Sequence, residues 1–185
     1  LARATMGANV MLITDPGMMA TGIIERALAI LASAGVQVTL FSDVQADPPE
    51  AVIHAATEAA VVAGAQGVIG LGGGSSLDVA KLVALLAVGQ ETLKGVYGVG
   101  NAKGPRLPLI LVPTTSGTGS EVTPISIVTT GTAEKMGVVS PVLLPDVALL
   151  DPELTYGLPA HITAATGIDA MVHAIEAYAS GSANN

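Results

Sequence analysis

The 185-residue chain has no cysteine. That absence excludes a disulfide framework and every thiolate metal site, and it fits a reducing cytoplasm, the location expected here. Aromatic residues make up 2% and charged residues 12% of the chain. Only seven residues are Lys or Arg, they are scattered, and the formal net charge is −8. A phosphate-backbone binder needs clustered cations, so nucleic acid is excluded as an expected partner. Long apolar runs are also missing. Mean hydropathy is +0.64, yet Val83 to Val88 is among the longer apolar stretches and Gly89 ends it. A spanning helix needs about 20 apolar residues, so no membrane association is expected. The N-terminus lacks a basic region followed by an apolar core and a cleavage site.

What is present is an Ala-, Gly-, Val-, Leu- and Ile-rich interior, half of the residues being apolar. Strands of this composition suit a parallel sheet covered on both faces. The pattern predicts a strand over 9–14, a helix over 18–34 ended by Gly35, and a strand over 36–41. A loop follows to Pro49, then a helix over 50–63, a strand over 67–71, a turn over 72–74 and a helix over 75–88. A Gly-rich connection, 89–106, leads to a strand over 107–112. The alternation of strand and helix predicts an α/β fold, a Rossmann-like parallel sheet with helices on both faces. Short strands are predicted at 125–129, 136–139 and 147–150. From Pro159 to about Tyr178 a single Ala-rich helix is expected to open an all-helical second domain. The domain expectation is therefore 1–158 for dinucleotide binding and 159–185 for the first helix of the second unit. The chain starts at Leu1 and ends in Ser180-Gly181-Ser182-Ala183-Asn184-Asn185, and both ends read as cut, processed or incompletely represented.

Three motifs carry chemistry. Gly72-Gly73-Gly74-Ser75-Ser76-Leu77-Asp78-Val79-Ala80-Lys81 sits between a strand and a helix. Glycines let backbone amides approach an anion, and the helix start adds free N–H groups and a positive dipole end. It is not the G-x-G-x-x-G pattern, and a plain structural turn is the competing reading. Asp78 can serve as a first-turn acid or line a cleft, and Lys81 reads as a solvated helix lysine. The second motif, Pro113-Thr114-Thr115-Ser116-Gly117-Thr118-Gly119-Ser120-Glu121, follows the next strand. Two such loops at the carboxyl ends of neighbouring strands can wall a dinucleotide crevice; a helix cap by Thr118 or Ser120 is the alternative. The third is Asp169 and His173, at i and i+4 on a helix, where carboxylate and imidazole can share a divalent cation or form a plain ion pair. Their neighbours Ala165, Ala170, Met171, Val172 and Ile175 are apolar, which argues against a solvated face. His54, His161, Glu176 and Tyr178 read as ordinary structural residues.

Together these blocks, with Ser140-Pro141-Val142-Leu143-Leu144-Pro145-Asp146-Val147-Ala148-Leu149-Leu150-Asp151-Pro152-Glu153-Leu154, resemble the iron-containing (group III) alcohol dehydrogenases over essentially the whole chain. The resemblance implies a Rossmann-like domain followed by a helical one, and NAD(P)-dependent interconversion of alcohols with aldehydes or ketones. It implies that Asp15 meets the adenosine ribose and favours NAD over NADP. It implies cofactor contacts from Gly73, Gly74, Ser75, Asp78, Thr114, Thr115, Thr118, Lys135 and Leu154, and a metal, Fe2+ or Zn2+, on Asp169 and His173. The family's other two metal ligands, both His, match nothing in this sequence, and no side chain is assigned as a catalytic acid or base. In that reading the cation is a Lewis acid toward the alcohol oxygen and hydride passes to the nicotinamide. A small alcohol or aldehyde substrate and a homo-oligomer are the expected partners. Asp47 departs from the family, whose members often carry Asn before the Pro. The rival readings are a non-catalytic nucleotide-binding fragment and a relative of the glycerol dehydrogenases or dehydroquinate synthases.

Overall fold

The computed structural model describes residues 2–131 and 134–181; the last part of the expected second unit, 182–185, lies outside them. A short helix α1 (Ala2–Met6) leads into β1 (Asn9–Ile13). Then come α2 (Pro16–Met19), α3 (Ile23–Ser33), β2 (Gln37–Phe41), α4 (Glu50–Val62), β3 (Gly67–Gly72) and α5 (Gly74–Leu86). After α6 (Leu93–Val96) and β4 (Gly98–Val99) come β5 (Leu109–Pro113), β6 (Ile125–Thr129), β7 (Lys135–Val139), β8 (Val147–Ala148) and α7 (Ala160–Ala179).

Five strands form one parallel sheet in the order β2-β1-β3-β5-β8. Every residue of β3 is buried, as a strand covered on both faces must be. The period-2 alternation of β1 sorts its side chains between two cores. Met11 and Ile13 pack with Ile53 and Ala56 of α4 and Leu77 and Leu82 of α5. Val10 and Leu12 pack on the opposite face with Met18 of α2 and Ile24 of α3. Each such fully buried Leu or Ile contributes roughly 1.5–3 kcal/mol. This is the α/β, doubly covered sheet that the sequence predicts.

Several elements differ from the sequence reading. The single helix expected over 18–34 is two, because the Asp15 side chain caps α2 early and Gly22, in the left-handed region at φ 76°, starts α3 afresh. The connection over 89–106 holds α6 and β4, and β4 joins β7 and β6 in a second, three-stranded sheet. Strands β6 and β7 pair antiparallel as a hairpin. The other predicted boundaries agree within about two residues, the uncertainty usual at element ends. Among the described residues no helix is long and apolar enough to cross a membrane.

The topology places the ligand crevice. From β1 the chain moves outward to β2, then returns past β1 to β3. Connections therefore leave the adjacent carboxyl ends of β1 and β3 in opposite directions, which opens a gap there.

Candidate functional site

The turn after β3 is the floor of that gap. Gly73 is the N-cap of α5 and makes no side-chain capping bond, so the first-turn amides have no intrahelical acceptor. Gly72 has φ 155°, and a Cβ there would stand 2.8 Å from Ser76 Oγ and 3.0 Å from Asp15 Oδ2. Only glycine fits where the two loops meet. Across the gap Asp15 accepts from the Met18 N–H at 3.1 Å and from Ser76 Oγ at 3.1 Å. One carboxylate thus caps α2 and bridges to the first turn of α5.

The Thr-rich loop after β5 forms the second wall. The Thr114 N–H donates to Gly72 O at 3.0 Å, and the Thr114 hydroxyl lies 3.4 Å from Met18 Sδ. Thr115 and Thr118 lean on the glycines: a Cβ on Gly73 would be 3.4 Å from Thr115 Cγ2, and one on Gly74 3.2 Å from Thr118 Oγ1. The Thr115 hydroxyl is buried with no partner among the described residues. These walls, with the loop after β2 and the start of α7, enclose a cleft of ≈ 840 Å³. Of the residues expected to meet a cofactor, Asp15, Gly73, Gly74, Ser75, Thr114, Thr115 and Leu154 line it. So do Ser76, which lies in the glycine motif without being singled out there, and Met18, Gln45, Ala46 and Ile162, which none of the three motifs includes.

Three expected residues lie elsewhere. Thr118 sits behind Gly74. Lys135 pairs with Asp47 at 2.6 Å, both side chains mostly exposed. Asp78 does not line the cleft, because its oxygens are already engaged. They accept from the Ile127 N–H at 3.0 Å, from the Ser120 hydroxyl, and from Lys81 Nζ at 3.4 Å. Lys81 is not a solvated lysine: it is fully buried and donates to Ile125 O at 2.6 Å. Burial pushes the Asp78 carboxyl up and the Lys81 ammonium down, while each charge opposes the shift of the other. The alternative reading of this loop as a helix cap is met only in part: Gly119, in the left-handed region at φ 64°, is the N-cap of the short 3-10 turn Ser120–Val122, and the Thr118 hydroxyl accepts from the Ser120 N–H at 3.3 Å.

Helix α7 connects the cleft to the Asp/His pair. Ile162, Thr166 and Asp169 are its partly covered positions, and the rest of its residues are exposed. Their spacing of four and three, extended by His173, marks one stripe of the helix. Ile162 lines the cleft, and Asp169 lies about 10 Å further along the helix at 1.5 Å per residue. The Thr-rich loop touches the same stripe, since a Cβ on Gly117 would fall 2.0 Å from Thr166 O. His173 Nε2 is 3.7 Å from Asp169 Oδ1, with side chains 53% and 45% exposed. The apolar shielding expected around this pair is not seen: Met171, Val172 and Ile175 are themselves exposed, because nothing among the described residues packs on the outer faces of α7. One carboxylate and one imidazole, a turn apart and half open, are a fitting donor set for a divalent cation. No third acidic or His ligand joins them among the described residues. His54 and His161 are exposed and take no part.

Comparison with known proteins follows the same lines. The sequence pattern of the iron-containing alcohol dehydrogenases matches residues 2–152. A sulfoacetaldehyde reductase of Bilophila wadsworthia is 40% identical over 173 residues, 93% of this chain and 45% of the relative. A 4-hydroxybutyrate dehydrogenase of Cupriavidus necator is 45% identical over 172 residues, 91% of this chain and 44% of the relative. The crystal structure of a 1,3-propanediol oxidoreductase superposes with a TM-score of 0.94 at 34% identity, covering 99% of this chain and 48% of that one. A sulfoacetaldehyde reductase from Bifidobacterium kashiwanohense, solved with NAD+, gives 0.83 at 36% identity, covering 96% and 47%. The chain thus spans a little under half the length of these relatives.

Proposed function

Because the chain belongs to the iron-containing alcohol dehydrogenases, we propose that it is the coenzyme-binding part of an NAD-linked oxidoreductase that interconverts a small alcohol with its aldehyde or ketone. Residues 1–158 would form the dinucleotide unit, and residues from 159 the first helix of a helical unit. The observation that carries this reading is the open first turn of α5 facing the Asp15/Thr114 cleft at the sheet's switch point. Gly73, Gly74 and Ser75 would hold the pyrophosphate with backbone amides and one hydroxyl. Asp15 would accept from a ribose hydroxyl and repel a 2′-phosphate, favouring NAD over NADP. Thr114, Thr115 and Leu154 would line the remaining wall, with Thr118 buttressing Gly74, while Lys135 would have to leave its pairing with Asp47 to meet the coenzyme.

Asp169 and His173 would hold one divalent cation, iron or zinc, on the stripe of α7 that leads from the cleft. When bound, the cation supplies Lewis acidity toward an alcohol or carbonyl oxygen, and the nicotinamide supplies hydride exchange. The chain's own part is orientation. The cradle fixes the coenzyme's phosphates, and Gly117 against Thr166 keeps the Thr-rich loop in register with the metal helix. A cytoplasmic, homo-oligomeric enzyme belongs to the same reading.

Titration calorimetry with NAD and NADP tests it. Saturable NAD binding is expected, weaker by at least about tenfold (1.4 kcal/mol) in Gly73→Val, and Asp15→Ser is expected to narrow the gap between NAD and NADP. Absence of NAD binding, or an unaffected Gly73→Val, contradicts the coenzyme assignment. In the protein carrying the family's full length, Asp169→Ala with His173→Ala is expected to abolish stoichiometric iron or zinc. Retention of metal and activity in that double variant overturns the metal assignment.

A further inference from the structure

A buried polar cluster lies behind the cleft, and the reading above gives it no task. Lys81 is fully buried in the middle of α5 and its Nζ reaches three acceptors: Ile125 O at 2.6 Å, Ser120 Oγ at 3.4 Å and Asp78 Oδ1 at 3.4 Å. Asp78 takes the Ser120 hydroxyl on one oxygen and the Ile127 N–H, at 3.0 Å, on the other. Its backbone carbonyl accepts from Ser126 Oγ at 3.0 Å. Three separate pieces of chain converge here: α5, whose first turn is the phosphate cradle; Ser120, at the end of the Thr-rich loop; and β6. A buried ion pair is poor evidence of net stability, because desolvation offsets much of the attraction. Its geometric effect is clearer. Hydrogen bonds that satisfy both charges define one arrangement of the groups that make them.

We infer that Asp78, Lys81 and Ser120 form a positioning clasp that holds the Thr114–Gly119 loop against the cradle, so that Asp78 acts on the coenzyme through the loop and not by contact. The inference rests on the coenzyme reading for its consequence, but the clasp itself is a property of the unliganded chain. Apart from the packing of Gly117 on Thr166, the loop has few other anchors. Thr114 is tied to Gly72 at one end, Ser120 to the clasp at the other, and the span between carries Thr115 and Thr118 against Gly73 and Gly74. Release of Ser120 frees one end of a wall of the cleft while leaving β1, β3 and β5 untouched.

The test uses Ser120→Ala, Asp78→Asn, Lys81→Met and the Asp78→Asn/Lys81→Met pair. Ser120→Ala removes one hydroxyl and leaves the ion pair in place, so it stands even where a charge variant fails to fold. Amide hydrogen exchange without coenzyme is expected to quicken about tenfold or more over Thr114–Gly119 in Ser120→Ala, with β1 and β3 unchanged. NAD dissociation constants are expected to rise by a similar factor in Ser120→Ala and in each single charge variant. The double variant is expected to lose no more than the worse single one, because both members serve one device. Unchanged loop exchange in Ser120→Ala overturns the clasp. So does weakened NAD binding in Asp78→Asn beside normal binding in Ser120→Ala and Lys81→Met, the pattern of direct contact. If the wild-type chain binds no NAD, the coenzyme reading fails and the exchange data alone decide the clasp.

Discussion

At Gly117 the backbone runs against α7 with room for a hydrogen and nothing larger, the Thr166 carbonyl standing 2.0 Å from where a Cβ would be. Gly117→Ala must therefore push loop and helix apart. A loss of about 1–3 kcal/mol is expected from overpacking of this kind, read as a lower denaturation midpoint. Faster proteolysis within α7 is expected alongside, since the contact is among the few that hold the helix. Unchanged stability and protease resistance would mean that the loop yields freely. This residue also marks a limit of sequence reading. Gly117 is visible as one glycine in a Thr-rich motif, but its partner lies 49 positions later and no local pattern links them. Lys81 fails in the same way. A lysine one turn after an acid on a helix reads as solvated, and only the arrival of Ser120 from the Thr-rich loop and Ile125 from β6 shows it buried. Gly73, Gly74, Ser75, Thr114 and Thr115 are legible as cleft residues because each sits within a few positions of a strand end, where topology directs the chain toward the crevice, whereas Asp15 comes only from the family resemblance.

Among elements, β8 shows how an edge strand is pinned. It is two residues long, and Asp146 just before it accepts from Arg106 Nη1 at 2.7 Å, from Arg106 Nη2 at 3.2 Å and from the Leu109 N–H at 2.7 Å. The hydrogen bonds from Arg106 hold the Asp146 carboxyl below its ordinary value. A depressed folded-state pKa stabilises the fold fully above the unfolded value of about 3.9, and that contribution is lost as pH falls through the folded value. Asp146→Asn is therefore expected to lower stability at pH 7 by roughly 0.5–1 kcal/mol for a pair this exposed, and to flatten the acid decline below about pH 4. Melting temperatures from pH 7 down to pH 3 check this; parallel curves for the two proteins would remove the pair from the acid response. The strands and helices themselves follow from periodicity and turn residues. The break between α2 and α3 does not, because the apolar spacing continues across Thr21 and Gly22 and only the left-handed Gly22 interrupts it. Strand β4 is equally hidden: two residues carry no period.

Across the whole molecule the two faces of the sheet are served unequally. Helices α4 and α5 seal one face. On the other, beside α3, the side chains of Leu12, Ile69, Leu71, Ile110 and Val112 line an apolar cavity of ≈ 390 Å³. Helix α7 adds Ile168, Met171, Val172, Ile175 and Tyr178 to the exposed apolar surface. The order β2-β1-β3-β5-β8 has one more consequence, and it concerns time. No two neighbours in this sheet are joined by a hairpin, so each pairing must wait for a crossover segment to close. The antiparallel β6–β7 pair can form locally, in about 1–10 μs for an isolated hairpin, but the sheet that shapes the cleft has no local start. Burial of β3 after dilution from denaturant is accordingly expected in milliseconds to seconds, and stopped-flow refolding that finished in microseconds would contradict it. The crevice is accordingly expected to take shape only once the crossover carrying β2 and α4 has brought β3 back beside β1.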